Sequence, residues 1–310
     1  MTETGSRILR GLGRLRIFFA LSLPVAVMSC SLAAGCQEES GFAAPRQDDL
    51  TIGYVEWDES VALANLTKVV LEDELGYEVE LRREAPDEVL HGVASGELDA
   101  FQDLWLPTHD DRLREVEGEV KVLNPWLIGT TRQSLAVPSY VGVRRLDRLG
   151  TTGAEEVFGT VPGGAPVEIP EEFLAAYPLD KRLEHESVEA MLADADRLYQ
   201  KGEPFVFIAY APHWMNDEYE LNYLEPSDDE LSGLVQPARL HPVARRGLAA
   251  DDPFAYAFLD AILLASHQVV ALEQQIRAAE GPEEGARAWA QKNSELVETW
   301  IQTAKNRAAD

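Results

Sequence analysis

An alternation of short apolar strands and helices begins at residue 51 and constrains the fold more than any other feature of the chain. Residues 52–54 alternate as a strand, a helix is predicted from Val61 to Leu75 with Gly76 just past its end, and residues 77–81 alternate again. Strand, helix and strand in this order predict a βαβ unit, which requires a sheet with parallel strands.

The α/β pattern continues along the chain and falls into two runs, the second of which follows Pro138. Predicted strands cover residues 100–104, 157–158 and 205–209, and predicted helices cover 86–95, 171–177, 187–200, 253–277 and 282–305. In the last helix Trp289 and Trp300 recur at helical spacing, so both are predicted to lie in the core. Trp126 is also interpreted as structural.

The N-terminus is typical of an exported protein. Basic residues between Arg7 and Arg16 precede an apolar stretch, Ile17 to Met28, that is too short to span a bilayer comfortably. The sequence Leu-Ala-Ala-Gly-Cys ends at Cys36 and is similar to a bacterial lipobox, although the leucine is one residue further from the cysteine than usual. Residues 1–35 are therefore predicted to be a lipoprotein signal peptide with lipidation at Cys36, followed by a flexible tether, 36–49. The alternative is an ordinary signal peptide that contains Cys36.

Composition and motifs argue against several classes of protein. The formal net charge of −27 makes nucleic acid a poor partner. The cysteines are Cys30 and Cys36, so we expect no disulfide in the exported part. The six histidines show no metal-binding spacing, and no nucleophile elbow or phosphate-binding loop is present. Neither a cofactor nor a metal site nor enzymatic activity is predicted.

Four aromatic residues stand where two halves of a cleft would meet: Trp57, Trp105, Tyr210 and Trp214. A quaternary ammonium group has no N–H to donate, so proteins hold it mainly with the faces of electron-rich rings. The placement predicts an aromatic cage for such a cation.

The segments around these rings resemble the glycine betaine, proline betaine and choline substrate-binding proteins of ABC transporters. The resemblance runs from about Leu50 to Ile301 through TIGYVEWDESVALANLTKVVLEDELGYEVEL, SGELDAFQDLWLPTH, SLAVPSYVGVRRLDRL, FGTVPGGAP, SVEAMLADADRLYQKGEPFVFIAYAPHW and ARAWAQKNSELVETWI. It implies an α/β, two-lobed periplasmic-binding-protein fold of type II character, with two mixed-sheet lobes. Hinge crossings are expected near Leu135–Pro138 and Val235–Leu240, with lobe I formed by 50–136 and 238–310 and lobe II by 137–237.

The resemblance also implies a function. The protein would be a lipid-anchored, extracytoplasmic substrate-binding protein that captures a quaternary ammonium osmolyte and hands it to an ABC permease with ATPase subunits. Glycine betaine is favoured, with proline betaine also considered. The alternatives are a choline- or carnitine-binding protein of the same family and a lipoprotein that binds its ligand to signal.

The resemblance assigns Trp105 to the aromatic cage and leaves open whether Tyr210, Trp214 or both face the ligand. Tyr210 stands where the family usually has tryptophan. For a ligand carboxylate, the predicted contacts are the amides of the helix start, Glu59 and Ser60, the side chain of His213, and the loop Gly163–Gly164. An acid two residues after Trp57, here Glu59, resembles the choline-binding branch of the family, and helix capping explains the same acid without a ligand.

Overall fold

The computed structural model describes residues 49–154, 156–167, 182–226 and 236–309. The predicted signal peptide, nearly all of the tether, Cys36 and the predicted helix 171–177 lie outside these ranges.

The described residues form ten strands and ten α-helices, with two short 3₁₀ helices at Ser139–Val141 and Leu146–Thr151. The strands are β1 Asp49–Tyr54, β2 Glu78–Arg83, β3 Ala100–Leu106, β4 Val120–Val122, β5 Arg132–Pro138, β6 Val157–Thr160, β7 Arg182–His185, β8 Val206–Ala211, β9 Leu221–Tyr223 and β10 Arg239–Arg245. The helices are α1 Asp58–Leu75, α2 Val89–Ser95, α3 Asp110–Glu115, α4 Val188–Tyr199, α5 Met215–Glu218, α6 Leu248–Asp251, α7 Pro253–Leu259, α8 Ser266–Ala278, α9 Pro282–Lys292 and α10 Ser294–Ala308.

The strands form two mixed sheets of five. The first has the order β2-β1-β3-β10-β4, in which β1 runs parallel to β2 and β3 while β10 is antiparallel to both of its neighbours. The second has the order β7-β6-β8-β5-β9, in which β6 runs parallel to β7 and β8 while β5 is antiparallel to β8 and β9. The predicted α/β class with two mixed sheets is confirmed.

The first βαβ unit ends its helix where the sequence predicts. Gly76 has φ of 75°, and its N–H donates to the carbonyl oxygen of Glu72, which closes the last turn of α1. A left-handed residue at this position favours glycine because other side chains are strained there. α1 then leads directly into β2, beside β1.

Each of the two predicted C-terminal helices is in fact two helices, so the prediction of single helices over 253–277 and 282–305 is wrong. Residues 260–265 leave the helical path because the Leu264 N–H donates to the carbonyl oxygen of Trp126 and the Asp260 carboxylate accepts from the Asn124 amide. In the second case Asn293 separates α9 from α10 with φ of −114° and ψ of 31°. Apolar residues continue at helical spacing across both breaks, so the sequence pattern does not reveal where the helices end.

The chain passes from the first sheet to the second at a different place from the one predicted, which was Leu135–Pro138. Those residues belong to β5, which pairs with β8 and β9, so the predicted lobe boundary at 136/137 falls inside a strand of the second sheet. The passage instead lies before Arg132. There the Thr131 N–H donates to the carbonyl oxygen of Ala238, and the Ala238 N–H donates to Thr131 Oγ1, which holds the outgoing and returning segments together.

The tryptophans assigned to the core are buried, as predicted. Trp289 and Trp300 stack with ring centroids 6.4 Å apart and an interplanar angle of 11°. Trp126 is buried and donates its indole N–H to the carbonyl oxygen of Gln102. No helix within the described ranges has the length and apolarity that a bilayer crossing requires.

Candidate ligand-binding site

Trp57 lies at the junction of β1 and α1, at the carboxyl end of a central strand. This edge is where open α/β sheets bind ligands. Trp57 is buried, and its Nε1–H donates to the carbonyl oxygen of Gly163 at 3.0 Å. Because Gly163 follows β6, this hydrogen bond connects the two sheets across the cleft.

Trp105 and Tyr210 come from different sheets and meet edge to face. Their ring centroids are 5.8 Å apart with an interplanar angle of 82°, and both side chains are fully buried. Trp105 lies within β3 and Tyr210 within β8. Two nearly perpendicular rings offer the corner of a box in which a compact cation can contact a ring face.

His213 has protein partners at both ring nitrogens. Its Nδ1 accepts from the Met215 N–H at 3.1 Å, so the proton is on Nε2, which donates to Asp58 Oδ2 at 2.9 Å. Burial acts to raise the pKa of Asp58, but the hydrogen bond from His213 and the charge of Arg277 contribute to outweighing it, and the pKa of this carboxyl is lowered. His213, predicted to receive a ligand carboxylate, is therefore engaged by a carboxylate of the protein.

The ring of Trp214 already makes a cation–π contact with an arginine of the protein. The Arg277 guanidinium carbon lies 3.3 Å from the centroid of the Trp214 ring. The backbone N–H of Trp214 donates to Glu273 Oε2 at 2.7 Å. One face of this indole is thereby covered by α8. Of the two aromatic residues left open by the sequence, Tyr210 is the one that meets Trp105.

The loop residues predicted at the site make mostly structural contacts. Ser60 Oγ accepts from the Val55 N–H at 3.2 Å, which fixes the turn between β1 and α1. The Gly164 N–H donates to the carbonyl oxygen of Val161 at 2.9 Å. A Cβ at Gly164 would lie 2.9 Å from both Thr160 Cβ and the Glu186 carbonyl oxygen, so only glycine fits this close approach.

His109 lies beside Trp57 and Trp105 and was not among the site residues predicted from the sequence. It is buried, its Nδ1 accepts from the Trp105 N–H at 3.2 Å, and its Nε2–H donates to the carbonyl oxygen of Pro166 at 2.9 Å. Its ring centroid is 5.5 Å from that of Trp57. Burial lowers the pKa of His109 to about 4, so the ring is neutral at physiological pH. The signal in the sequence was its position four residues after Trp105.

Three buried carboxyl groups lie close enough to Tyr210 to raise its pKa: Glu59 of α1, Asp103 of β3 and Glu273 of α8. They are 1%, 0% and 2% exposed. Trp105 Nε1–H donates to Asp103 Oδ1 at 3.0 Å, which ties this carboxyl to the aromatic corner. Asp103 and Glu273 were not predicted as site residues.

Several oxygens of this group meet no hydrogen-bond partner among the described residues: both of Glu59, Oδ2 of Asp103, Oε1 of Glu273 and the Tyr210 hydroxyl. Burial, and then the charges of Asp103 and Glu273, raise the pKa of Glu59 well above its usual range, against the opposing effect of its own backbone amide. Burial raises the pKa of Asp103 to about 7, and burial also raises that of Glu273. Such groups are costly to bury ionised without a counter-charge.

Two surface cavities border part of the candidate site and share Asp58 as a lining residue, and neither of the two is lined by Trp105 or Tyr210. One of about 230 Å³ is lined by Trp57 and Glu273, and one of about 510 Å³ by Trp214 and Arg277. A larger groove of about 740 Å³ lies between α1, α9 and α10, and no aromatic residue lines it. The groove is therefore not a candidate for binding an organic cation.

Comparison with known proteins identifies the class. Residues 48–292 match the family model of the substrate-binding domain of ABC-type glycine betaine transport systems. The glycine betaine/carnitine transport binding protein of Listeria monocytogenes is 27% identical over 119 residues, which is 38% of this chain and 39% of that protein. The aligned region thus spans about two fifths of that curated relative.

Solved structures agree over most of the chain. The lactococcal OpuAC protein, in its closed conformation with glycine betaine, is 26% identical with a TM-score of 0.73, over 82% of this chain and 99% of that one. The glycine betaine/L-proline-binding protein ProX of Borrelia burgdorferi is 25% identical with a TM-score of 0.73, over 84% and 99%. The likeness also confirms the predicted two-lobed binding-protein fold. The family consists of transport proteins and not enzymes, and this chain belongs to it as a substrate-binding protein of the glycine betaine class of ABC transporters.

Proposed function

We propose that the protein works outside the cytoplasm, where it captures a quaternary ammonium ligand between the two sheets and delivers it to an ABC permease. The ligand is held in a cage built mainly from Trp57, Trp105 and Tyr210. The observation that carries this proposal is the edge-to-face meeting of Trp105 and Tyr210, which belong to different sheets. A ligand held at that corner would contact both halves of the protein.

The chemistry of the rings suits this ligand class. Each ring facing a desolvated cation contributes about 2 kcal/mol, so three rings supply much of the roughly 8 kcal/mol of a micromolar complex. The sequence favours glycine betaine, and choline and carnitine are the alternatives. Glycine betaine is also the ligand named for the lactococcal relative.

We further propose that the two sheets form two lobes that close on the ligand. The Trp57–Gly163 and His109–Pro166 hydrogen bonds both run between the two sides of the cleft. They support a closed arrangement in which the segments at Thr131 and Ala238 act as the hinge. The proposal also retains the other predicted site residues, which border the ligand or support the cage: Glu59, Ser60, His213, Gly163, Gly164 and Trp214.

The cage is tested by removing methyl groups from the ligand. Affinity is expected to fall steeply from glycine betaine through dimethylglycine to glycine, because the smaller ammonium groups bring N–H donors that ring faces leave unsatisfied. Isothermal titration of the purified protein measures the series, and ring burial predicts a change in tryptophan fluorescence with the same midpoint. Equal affinity for glycine and glycine betaine would refute the cage.

The N-terminal lipid anchor is proposed on the sequence around Cys36. Expressed from the full gene in a bacterial host, the protein is expected in the membrane fraction, and a Cys36→Ala variant in the soluble extracytoplasmic fraction. Cys30→Ala is the matched control, since Cys30 lies in the predicted signal peptide. A Cys36→Ala variant that stays with the membrane would show that lipidation at this residue is not the anchor.

A further inference from the structure

Three side chains of helix α8 contact the short segment that follows β8. Glu273 Oε2 accepts from the backbone N–H of Trp214 at 2.7 Å. Gln274 Nε2–H donates to Asp217 Oδ2 at 3.2 Å, and the Arg277 guanidinium carbon lies 3.3 Å from the centroid of the Trp214 ring. Position 277 comes four residues after 273 and three after 274, so the three side chains leave the same side of the helix.

These contacts run between the two sides of the cleft. α8 packs against α1 and α9, and α1 in turn packs on β1 and β3 of the first sheet. Trp214 and Asp217 come directly after β8 of the second sheet. When the two sheets separate as two lobes, α8 parts from this segment and all three contacts break. The contacts therefore belong to the closed form.

Two of the three α8 residues are exposed, namely Gln274 and Arg277, whereas Glu273 is buried. Arg277 lines the cavity of about 510 Å³ together with Asp58 and Trp214, so its guanidinium lies where the two sides of the cleft meet. Exposed side chains contribute little to the packing of a core, so replacing Gln274 or Arg277 is expected to leave the fold intact. Closure can thus be tested separately from stability.

One aromatic ring separates these contacts from the proposed cage. The His213 ring centroid is 5.1 Å from that of Trp214 and 4.8 Å from that of Tyr210. A ligand beside Tyr210 would be held by the cage, whereas Gln274 and Arg277 hold the neighbouring segment.

We propose that Gln274 and Arg277 form a latch between α8 and residues 214–217, which keeps the cleft closed after capture and sets how fast the ligand leaves. This inference rests on the proposed closure of two lobes. Both are positioning residues, which act through Trp214 and Asp217 and do not touch the ligand. Because the ligand leaves only when the cleft opens, contacts made only in the closed form slow its release, and its entry into the open form does not involve them.

Stopped-flow measurement of glycine betaine and choline kinetics by tryptophan fluorescence tests the latch. Arg277→Met keeps a long side chain but removes the cation from the Trp214 ring, and it is expected to raise the dissociation rate about three- to tenfold with the association rate within about twofold. Gln274→Ala is expected to raise the dissociation rate about two- to fivefold. Arg277→Lys keeps a cation for the ring and is expected to stay within about twofold of the unmodified rate.

Arg246→Met is the matched control, because Arg246 is exposed just after β10 and its replacement changes the net charge equally. β10 runs from the carboxyl end of β3 to its start, so Arg246 lies at the end of the sheet away from the cleft. The release rate of this variant is expected to match the unmodified protein.

The outcomes separate the latch from the proposed function. An unchanged dissociation rate in both Arg277→Met and Gln274→Ala would overturn the latch and leave the cage intact. Slower association with unchanged dissociation would overturn it as well, because a latch acts after the ligand has entered. Absence of binding of both ligands by the unmodified protein would reject the proposed function, and the latch with it.

Discussion

Replacing Trp105 by leucine is expected to weaken binding of a trimethylammonium ligand by about 10- to 100-fold. Leucine keeps apolar bulk beside Tyr210 but removes a ring face worth roughly 1–3 kcal/mol to a desolvated cation, and each 1.4 kcal/mol is about tenfold in affinity. The change also removes the indole donor to Asp103. Titration of the variant with choline and with glycine betaine measures the loss.

Trp289→Ala provides the control for this experiment. Trp289 is buried against Trp300 in α9 and α10, away from the cleft. The change is expected to reduce the free energy of unfolding by about 3–5 kcal/mol while leaving ligand affinity within twofold in the folded fraction. If Trp105→Leu bound as tightly as the unmodified protein, Trp105 would be a core residue and the cage would need other walls.

A pH-dependent gain in stability is expected from Asp103→Asn. The pKa of Asp103 is raised by burial to about 7 in the folded protein, against 3.8 for the ordinary group. The folded state therefore binds more protons than the unfolded state between about pH 4 and pH 7, and this carboxyl lowers stability as pH rises through that window, by up to about 1.4 kcal/mol per pH unit. Asparagine does not ionise, so the variant lacks this loss of stability at higher pH.

Urea unfolding of the ligand-free protein and the variant at pH 5 and pH 8 measures the effect. The stability of Asp103→Asn relative to the unmodified protein is expected to be higher at pH 8 than at pH 5. Comparing the two proteins cancels the contribution of the surface carboxylates and of Asp58, whose lowered pKa acts in the opposite direction. The same difference at both pH values would mean that Asp103 is already ionised at pH 5.

Local sequence was sufficient for the first βαβ unit, for the buried tryptophans of the C-terminal helices and for naming the candidate rings. The αL glycine at the end of α1, the βαβ order and the burial of Trp289 and Trp300 follow from backbone preference and periodicity, which depend on neighbouring residues. The placement of Trp57 just after β1 likewise followed from the strand-to-helix order.

The helix breaks at residues 260–265 and at Asn293 did not follow from the sequence. Asp260 and Leu264 bond to residues more than a hundred positions earlier, Asn124 and Trp126, and no local pattern encodes that competition. The passage into the second sheet was misplaced for a similar reason, because the apolar run of β5 does not show which strands it will pair with.

The sequence by itself determined the α/β class and the aromatic residues of the candidate site, because hydrophobic periodicity and residue type are local properties of the chain. Only the tertiary structure decided which rings meet, that Arg277 covers Trp214, and that His213 is held by Asp58 across 155 residues of chain. It also decided that Asp103 and Glu273 join Glu59 beside the rings, because the electrostatics of a buried carboxyl depend on the groups that packing brings around it and not on its neighbours in sequence.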